Sequence, residues 1–194
     1  MPVTRFEDLD LSRQYTYADY LTWKFQERVE LLRGWVSRMS PAPSSYHQRI
    51  SFDLSLAIGS FLRDVHPVKC QAFASPIDVR LARTDGGETV VQPDICVVCD
   101  ETKVTKRGLE GPPDWVIEIL SPGNTPREMR EKFGIYEEAG VREYWVVEPS
   151  NGLVLRYELR DGTYIGLPPR TEQDEAIASV VFPEFTIAGA TVFP

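Results

Sequence analysis

The apolar residues of the chain follow two periods, and each period predicts a different kind of element. From residue 45 to about residue 64 they recur every three or four positions, which predicts a helix with one buried face. Ser45 followed by Gln48 resembles a capping box at the start of this helix. The buried stripe consists of Ile50, Leu54, Ala57, Ile58 and Phe61.

Capping signals predict two further helices. Thr16 with Asp19 resembles a capping box and opens a short helix over about residues 17–25. The segment Thr125-Pro126-Arg127-Glu128 combines a capping box with proline at the first helical position, and Gly140 ends the helix that follows.

Short apolar runs bounded by turn residues predict β-strands. Gly34 lies at the turn of a hairpin over about residues 28–39. Asp85-Gly86-Gly87 is the turn between strands at residues 76–82 and 90–98, which we expect to form an antiparallel hairpin. Further strands are predicted at residues 68–73, 115–120, 143–148, 153–159, 164–167 and 180–187.

One helix separates the strand at residues 115–120 from the strand at residues 143–148, so these two strands should be parallel with a right-handed crossover. The elements together predict an α/β fold with a mixed sheet (α+β), whose core has the order helix–three strands–helix–strand. An N-terminal hairpin precedes this core, and a β-appendix follows it. The 194 residues contain no linker-like segment, which predicts one domain over residues 1–194.

Charge and composition exclude several classes of function. The net charge of −8 argues against nucleic-acid binding through a broad basic surface, although a cation held in a site still supplies a positive field for phosphates. No apolar run approaches the ~18 residues of a membrane-spanning helix, and residues 1–13 lack the apolar segment of a signal peptide. We therefore expect a cytoplasmic protein with no membrane partner.

The cysteines predict neither a disulfide framework nor a zinc site. Their number, three, is odd and fits a reducing cytosol. Cys96 and Cys99 have the spacing of half a zinc site, but strand positions three apart point to opposite faces and no second pair follows. We expect both to be small core residues.

Two carboxylates interrupt apolar strands and are the strongest chemical signal in the chain. Asp94 begins one run and Glu118 lies inside the next, where burial without a partner costs several kcal/mol. Neighbouring strands lie ~4.8 Å apart, and two charges at ~4 Å repel by roughly 4 kcal/mol at an effective dielectric of 20. A divalent cation bound between the two carboxylates offsets this repulsion, and oxygen ligands suit Mg²⁺ or Mn²⁺ better than zinc. A strand-start cap at Asp94 and a structural ion pair at Glu118 are the alternatives.

An ordered set of motifs carries a family resemblance over about residues 14–187. The chain resembles the PD-(D/E)xK nuclease superfamily and, more closely, the Uma-two family of restriction-endonuclease-like proteins. The matching motifs are Val29-Glu30-Leu31-Leu32-Arg33-Gly34, His47-Gln48, Pro76-x-Asp78-Val79-Arg80-Leu81, Val91-Gln92-Pro93-Asp94, Trp115-Val116-Ile117-Glu118-Ile119-Leu120-Ser121-Pro122, Lys132-x3-Tyr136, Gly140-Val141-x-Glu143-Tyr144-Trp145 and Phe182-Pro183-x-Phe185.

The resemblance implies a divalent-metal site. Its ligands would be the carboxylates of Asp94 and Glu118, with the backbone carbonyl of Ile119 beside them. The superfamily's lysine would stand at position 120, where this chain has Leu120. The resemblance points instead to Lys132, on the following helix, although this residue also fits a solvated helix face.

Other residues are additional candidates. Glu30 would be an extra N-terminal carboxylate. Asp78, expected on the strand paired with that of Asp94, is either a further metal ligand or the partner of a neighbouring arginine. His47 is a general base, a phosphate contact or a hydrogen-bonding residue at a helix start. A basic triplet fits either a solvated loop or a DNA contact, and consists of Lys103, Lys106 and Arg107.

These roles imply an endonuclease that hydrolyses DNA phosphodiester bonds with Mg²⁺ (or Mn²⁺) and with assistance from Lys132. One alternative is a nuclease-fold protein that does not cut and serves as a DNA-binding or protein-interaction module. Another is a metal-dependent hydrolase of small phosphate esters. Nucleases of this kind often cut both strands as dimers, and two-fold dimers are the commonest assembly, so we expect a homodimer.

Overall fold

The computed structural model of the protein describes residues 2–39, 43–65, 69–82 and 87–194. The helices in this part of the chain are α1 (Tyr17–Tyr20), α2 (Ser45–Val65), α3 (Pro126–Ala139) and α4 (Gly189–Val192), with 3-10 turns at Phe6–Asp8 and Glu101–Lys103. The strands are β1 (Val29–Leu32), β2 (Trp35–Arg38), β3 (Gln71–Ala74), β4 (Val79–Ala82), β5 (Glu88–Val91), β6 (Ile95–Val98), β7 (Val104–Thr105), β8 (Gly108–Glu110), β9 (Trp115–Ile119), β10 (Glu143–Glu148), β11 (Leu153–Arg160), β12 (Thr163–Gly166), β13 (Arg170–Thr171), β14 (Ile177–Ala178) and β15 (Thr186–Ile187).

The strands form two main sheets. The first sheet has the order β2-β1-β5-β4-β8-β7. The second, which we call the core sheet, has the order β12-β11-β10-β9-β6-β3, with β13 beside β11. Strands β14 and β15 form a separate antiparallel pair.

The predicted order helix–three strands–helix–strand is confirmed in the core sheet, as α2, β3-β6-β9, α3 and β10. The first of the three strands is β3, however, and not the predicted strand at residues 76–82, which lies in the first sheet as β4. Strands β3, β6 and β9 are antiparallel neighbours. Strand β10 is parallel to β9, as expected for two strands joined through one helix. The N-terminal hairpin is β1 with β2, and the C-terminal appendix begins with β11.

Alternate residues of the core sheet pack against two different layers, because successive side chains of a strand point to opposite faces. One face packs against α2 and the C-terminal segment, through a cluster that includes Leu54 of α2 together with Ile117 of β9. The other face packs against α3 and β4, through Val116, Tyr136 and Leu81.

Residues 90–98 were expected to form one strand, and this expectation was wrong. Strand β5 pairs with β1 and β4 in the first sheet, whereas β6 belongs to the core sheet. The break coincides with Pro93, which has no N–H to donate to a ladder. Strands β4 and β5 do form the predicted hairpin. The strand that follows Asp78 therefore pairs with β5 and not with the strand that Asp94 precedes.

Two helices differ from the sequence predictions at one end. Helix α1 ends at Tyr20, although its Thr16–Asp19 capping box is present. At the start of α2 the N–H of His47 donates to Oγ of Ser44 (3.2 Å), so Ser44 caps the helix and Ser45 belongs to its first turn. Helix α3 begins after Thr125 and ends at Gly140 as predicted.

Of the predicted strand at residues 180–187, only Thr186–Ile187 forms a strand, β15. The N–H groups of Val180 and Val181 both donate to Oε2 of Glu143 (2.9 Å each), so neither is available to a strand ladder. Strand β3 begins at Gln71 and not at residue 68. Val68 and the turn residues Asp85 and Gly86 lie outside the described residues.

Cys70 and Cys99 form a disulfide, which contradicts the expectation that the chain has none. The two residues lie opposite each other, one position beyond the Gln71–Val98 pair of strands β3 and β6. The odd number of cysteines misled the prediction because the third, Cys96, is buried in the core and free.

None of the described helices is both long and apolar enough to cross a membrane.

Candidate active site

Asp94 and Glu118 face each other across neighbouring strands. Strands β6 and β9 pair antiparallel with Ile95 opposite Ile117, and the same register puts Asp94 opposite Glu118. The strand break at Pro93 places Asp94 at the point where the chain enters the core sheet. The two carboxylates therefore meet at the edge between the two sheets.

The carboxylate of Asp94 is fixed by the next residues of β9. Its Oδ2 accepts a hydrogen bond from the backbone N–H of Ile119 (2.8 Å). The same oxygen lies 3.4 Å from Nε2 of His47, in the first turn of α2. That ring nitrogen also lies 2.9 Å from the carbonyl oxygen of Ile119. Because a carbonyl only accepts, Nε2 carries the proton and donates.

Glu118 is the centre of a buried ion-pair network. Its Oε1 accepts hydrogen bonds from Nζ of Lys132 (3.0 Å) and from the hydroxyl of Tyr136 (2.7 Å), one turn apart on α3. Nζ of Lys132 also lies 2.9 Å from Oε1 of Glu30, which is in β1 of the first sheet. Lys132 therefore reaches Glu118 and joins the two sheets.

These charged groups lie almost entirely inside the protein. Glu30 is 1% exposed, and Glu118 and Lys132 are each 8% exposed. Glu30 accepts a further hydrogen bond at Oε1 from the backbone N–H of Gln92 (2.8 Å). A buried charge is tolerated when it is paired and hydrogen-bonded, and this network meets both conditions.

Burial and neighbouring charge set the ionisation of the network. Burial raises the pKa of Glu118 to about 7, an effect that the Lys132 charge opposes and the Asp94 and Glu30 charges reinforce. Burial alone would lower the pKa of Lys132, but the two carboxylates raise it well above its ordinary value, so the ammonium stays charged. Burial also raises the pKa of Tyr136, which stays a neutral donor.

The surroundings of His47 shift its pKa upward. Burial alone would lower the pKa of its imidazole, but the hydrogen bond and charge of Asp94, together with the Ile119 carbonyl and the Glu118 charge, raise it above the ordinary value. Because its Nε2 proton points toward Asp94 and Ile119, the ring orients both residues, and this nitrogen cannot accept a proton.

The network opens into a solvent-accessible cleft between the two sheets and the starts of α2 and α3. Asp94, Glu118 and Lys132 line one part of it, with His47 and Ile119 beside them. Leu120, where the family resemblance led us to expect a lysine, contributes an apolar wall and no charge.

The oxygen atoms at this point suit a small, hard divalent cation. Asp94, Glu118 and the Ile119 carbonyl present oxygens to one cleft, and Oδ1 of Asp94 and Oε2 of Glu118 take no part in the hydrogen bonds described above. Across the described ranges, no group of three or more His, Cys, Asp and Glu side chains is arranged to hold a metal. Oxygen donors of this kind are the ones that Mg²⁺ and Mn²⁺ prefer, since these ions bind through one or two carboxylates and complete their shells with water or phosphate.

Two groups of predicted residues are not brought to this site. Oδ1 of Asp78 accepts hydrogen bonds from the hydroxyl of Tyr20 (3.0 Å) and from Nε2 of Gln92 (2.8 Å), and Asp78 does not line the cleft. In the basic triplet, Nζ of Lys103 donates to the carbonyl of Pro112, and the triplet lies outside the cleft.

The sequence did not lead us to predict Tyr136, Arg28 or Gln92 as site residues. The i, i+4 spacing of Lys132 and Tyr136 was an available signal, because it places both side chains on one face of α3. Arg28 lines the cleft immediately before β1, and its guanidinium bonds to Gln92. Nothing local in the sequence marked this contact, which joins residues 64 positions apart.

The geometry can be compared with that of known proteins. The fold is similar to that of a solved structure described as a putative nuclease belonging to DUF820 from Anabaena variabilis, with a TM-score of 0.72 over 92% of this chain and 97% of that chain. The two sequences are 21% identical, so this likeness concerns the fold alone. No curated protein matches the chain. Residues 17–190 match the Uma2 family, whose description is "Putative restriction endonuclease". Since this match extends over most of the 194 residues, the chain belongs to the Uma2 family, as its motifs indicated.

Proposed function

We propose that the protein is a divalent-metal-dependent endonuclease that hydrolyses phosphodiester bonds of DNA. The observation that carries this proposal is the convergence of two carboxylates, one backbone carbonyl and one lysine ammonium on the same part of an open cleft. The description of the Uma2 family as a restriction endonuclease favours DNA over a small phosphate ester.

Asp94, Glu118 and the Ile119 carbonyl would hold the cation, Mg²⁺ or Mn²⁺. When bound, it would supply positive charge against the phosphate and lower the pKa of a water molecule. The backbone N–H of Ile119 fixes one carboxylate, and Lys132 and Tyr136 fix the other. These bonds hold both carboxylates in position before a ligand arrives.

Lys132 replaces the lysine that position 120 lacks. Its ammonium has three N–H groups, and the bonds to Glu118 and Glu30 use two of them. The third is free to donate to a phosphate oxygen or to the attacking water. In this role Lys132 positions the reacting groups and offsets charge that develops on the phosphate.

His47 contributes as a donor. Its Nε2 proton points at Asp94 and Ile119, so it orients two of the groups that would hold the cation.

The second candidate function is a nuclease-fold module that binds DNA or protein without cutting. Two observations favour it, the leucine at position 120 and the net charge of −8. The retained carboxylates argue against this candidate. A protein that no longer cuts does not need Asp94 and Glu118, and buried carboxylates lower its stability once they have no metal to bind.

Plasmid cleavage in Mg²⁺ or Mn²⁺ tests the proposal. We expect the wild type to nick or linearise supercoiled DNA, and Asp94→Ala and Glu118→Ala to lose this activity by about 100-fold or more. Glu110→Ala, which removes an exposed carboxylate of β8, is the matched control and should cut normally. Absence of cleavage of any DNA by the wild type would exclude the endonuclease and leave the non-cutting module. Cleavage that survives both site substitutions would identify a wrong site or a contaminating enzyme.

Thermal unfolding tests the metal site separately from catalysis. A cation that binds only the folded protein adds about 2.7 kcal/mol at 100 times its Kd, so saturating Mn²⁺ should raise the midpoint by several degrees. Asp94→Ala should abolish this rise and Glu110→Ala should keep it.

The predicted homodimer is checked in the same preparations by analytical ultracentrifugation, where a monomer at micromolar concentration would exclude it.

A further inference from the structure

Arg28 holds its guanidinium at the cleft through bonds to uncharged groups. Its Nε and Nη2 donate to Oε1 of Gln92 (3.1 and 2.7 Å), and Nη2 also donates to Oγ of Ser75 (2.8 Å). The residue lines the same cleft as Asp94 and Glu118, and it is exposed to solvent. These bonds leave both N–H groups of Nη1 for another acceptor.

Among the described residues that line the cleft, Arg28 is the basic residue whose charge is not paired with a carboxylate. Three basic residues line the cleft in the described ranges, and two of them are engaged by carboxylates. Lys132 is paired with Glu118 and Glu30, and His47 lies 3.4 Å from Asp94. The partners of Arg28 are an amide and a hydroxyl, which orient the guanidinium without neutralising it.

Both anchors of Arg28 connect it to the candidate active site. Ser75, which accepts from Nη2, donates its backbone N–H to the carbonyl of Asp94 (2.9 Å). Gln92, the other anchor, donates its backbone N–H to Glu30, the partner of Lys132. Arg28 is therefore fixed at a set position relative to both the carboxylates and the lysine.

We propose that Arg28 binds a backbone phosphate of the substrate next to the phosphate that is cut. This inference rests on the proposed function and specifies its substrate as a polynucleotide, because a backbone phosphate next to the one that is cut exists only in a chain of linked nucleotides. The planar fork of an arginine suits two oxygens of one phosphate, and its fixed side chain loses little freedom on binding. A backbone contact of this kind sets the register of the strand in the cleft and carries no sequence preference.

DNA binding by protein that cannot cut tests the proposal. We use Asp94→Ala as the parent and measure the affinity for a labelled duplex by fluorescence anisotropy over a range of salt concentrations. Adding Arg28→Ala should weaken binding roughly tenfold at low salt, the effect of losing one charged hydrogen-bonded contact. The slope of log affinity against log salt should fall by about 0.9, the contribution of one phosphate on duplex DNA.

Two further variants separate position from charge. Arg28→Lys keeps the charge but not the fork, so it should keep the salt slope and lose several-fold in affinity. Arg63→Ala removes an exposed arginine at the end of α2 and should change neither quantity. Equal thermal midpoints of the arginine variants and their parent establish that the fold is kept.

The outcomes distinguish this inference from the proposed function. If the wild type cuts plasmid DNA while Arg28→Ala binds with unchanged affinity and slope, the phosphate contact is refuted and the endonuclease stands. If the parent binds no DNA at any salt and the wild type does not cut, the proposed function fails and the phosphate contact fails with it.

Discussion

Replacing Lys132 with methionine should destabilise the protein severely. Nζ of Lys132 lies 3.0 Å from Glu118 and 2.9 Å from Glu30, and the three side chains are between 2% and 11% exposed. The substitution keeps the length of the side chain but leaves two carboxylates buried without a cation. Breaking a buried ion pair from one side costs about 3–5 kcal/mol, a large part of a total stability of about 5–15 kcal/mol. For a domain of this size the thermal midpoint should fall by roughly 6–20 °C.

Urea unfolding at pH 8 measures this effect, and two other variants interpret it. Lys24→Met, which removes an exposed lysine, should change the free energy of unfolding by less than about 0.5 kcal/mol. The double variant Lys132→Met with Glu118→Gln should lose less than the sum of the two single changes, because the second change removes a charge that the first left unpaired. We expect a coupling free energy of about 1–3 kcal/mol.

A loss below about 1 kcal/mol in Lys132→Met, or single changes that simply add, would refute the reasoning. Either result would mean that Lys132 does not compensate the two carboxylates, and the assignment of this lysine to the site would lose its structural basis.

Two other substitutions test the charges in the core. Burial raises the pKa of Glu118 from 4.5 to about 7. Because the folded state then binds this proton more tightly than the unfolded state, raising the pH removes stability. The wild type's unfolding free energy should therefore fall by about 3 kcal/mol between about pH 4.5 and pH 7 and stay level above pH 7. Urea unfolding of Glu118→Gln over this range should lack that decline, and an unchanged decline would assign it to another group. Oε2 of buried Glu143 accepts hydrogen bonds from Ser179, Val180 and Val181. Glu143→Gln should therefore lower the free energy of unfolding, measured by thermal unfolding, by about 3 kcal/mol. Glu148→Gln, on the same strand, should lower it by less than about 1 kcal/mol, and equal losses would contradict the role of Glu143 in anchoring this segment.

Local signals predicted the elements that depend on local chemistry. The turn of the β1–β2 hairpin was evident from Gly34, where positive φ at Arg33 and Gly34 (53° and 84°) closes a tight turn. The capping segment at Thr125 fixed the start of α3, and with it the helical position of Lys132. Two apolar runs that each contain one carboxylate led to the prediction that Asp94 and Glu118 lie on neighbouring strands and converge.

Features that depend on distant contacts were not predictable. The run from Val90 to Val98 is mostly apolar, and Pro93 was the one local sign that it is divided between two sheets. The pairing of Glu30 with Lys132 joins two segments far apart in the chain, and no periodicity relates them. The disulfide of Cys70 with Cys99 likewise depends on the register of two strands, which the cysteine count does not contain.

The bridge that Lys132 makes between the two sheets has a consequence for the order of synthesis. A growing chain that has emerged as far as Glu118 already contains both carboxylates of the candidate metal site. It lacks α3, which supplies the ammonium, and β10, which covers the free edge of β9. The ammonium that compensates the two buried carboxylates of Glu30 and Glu118 is thus added only after the chain has been synthesised as far as α3.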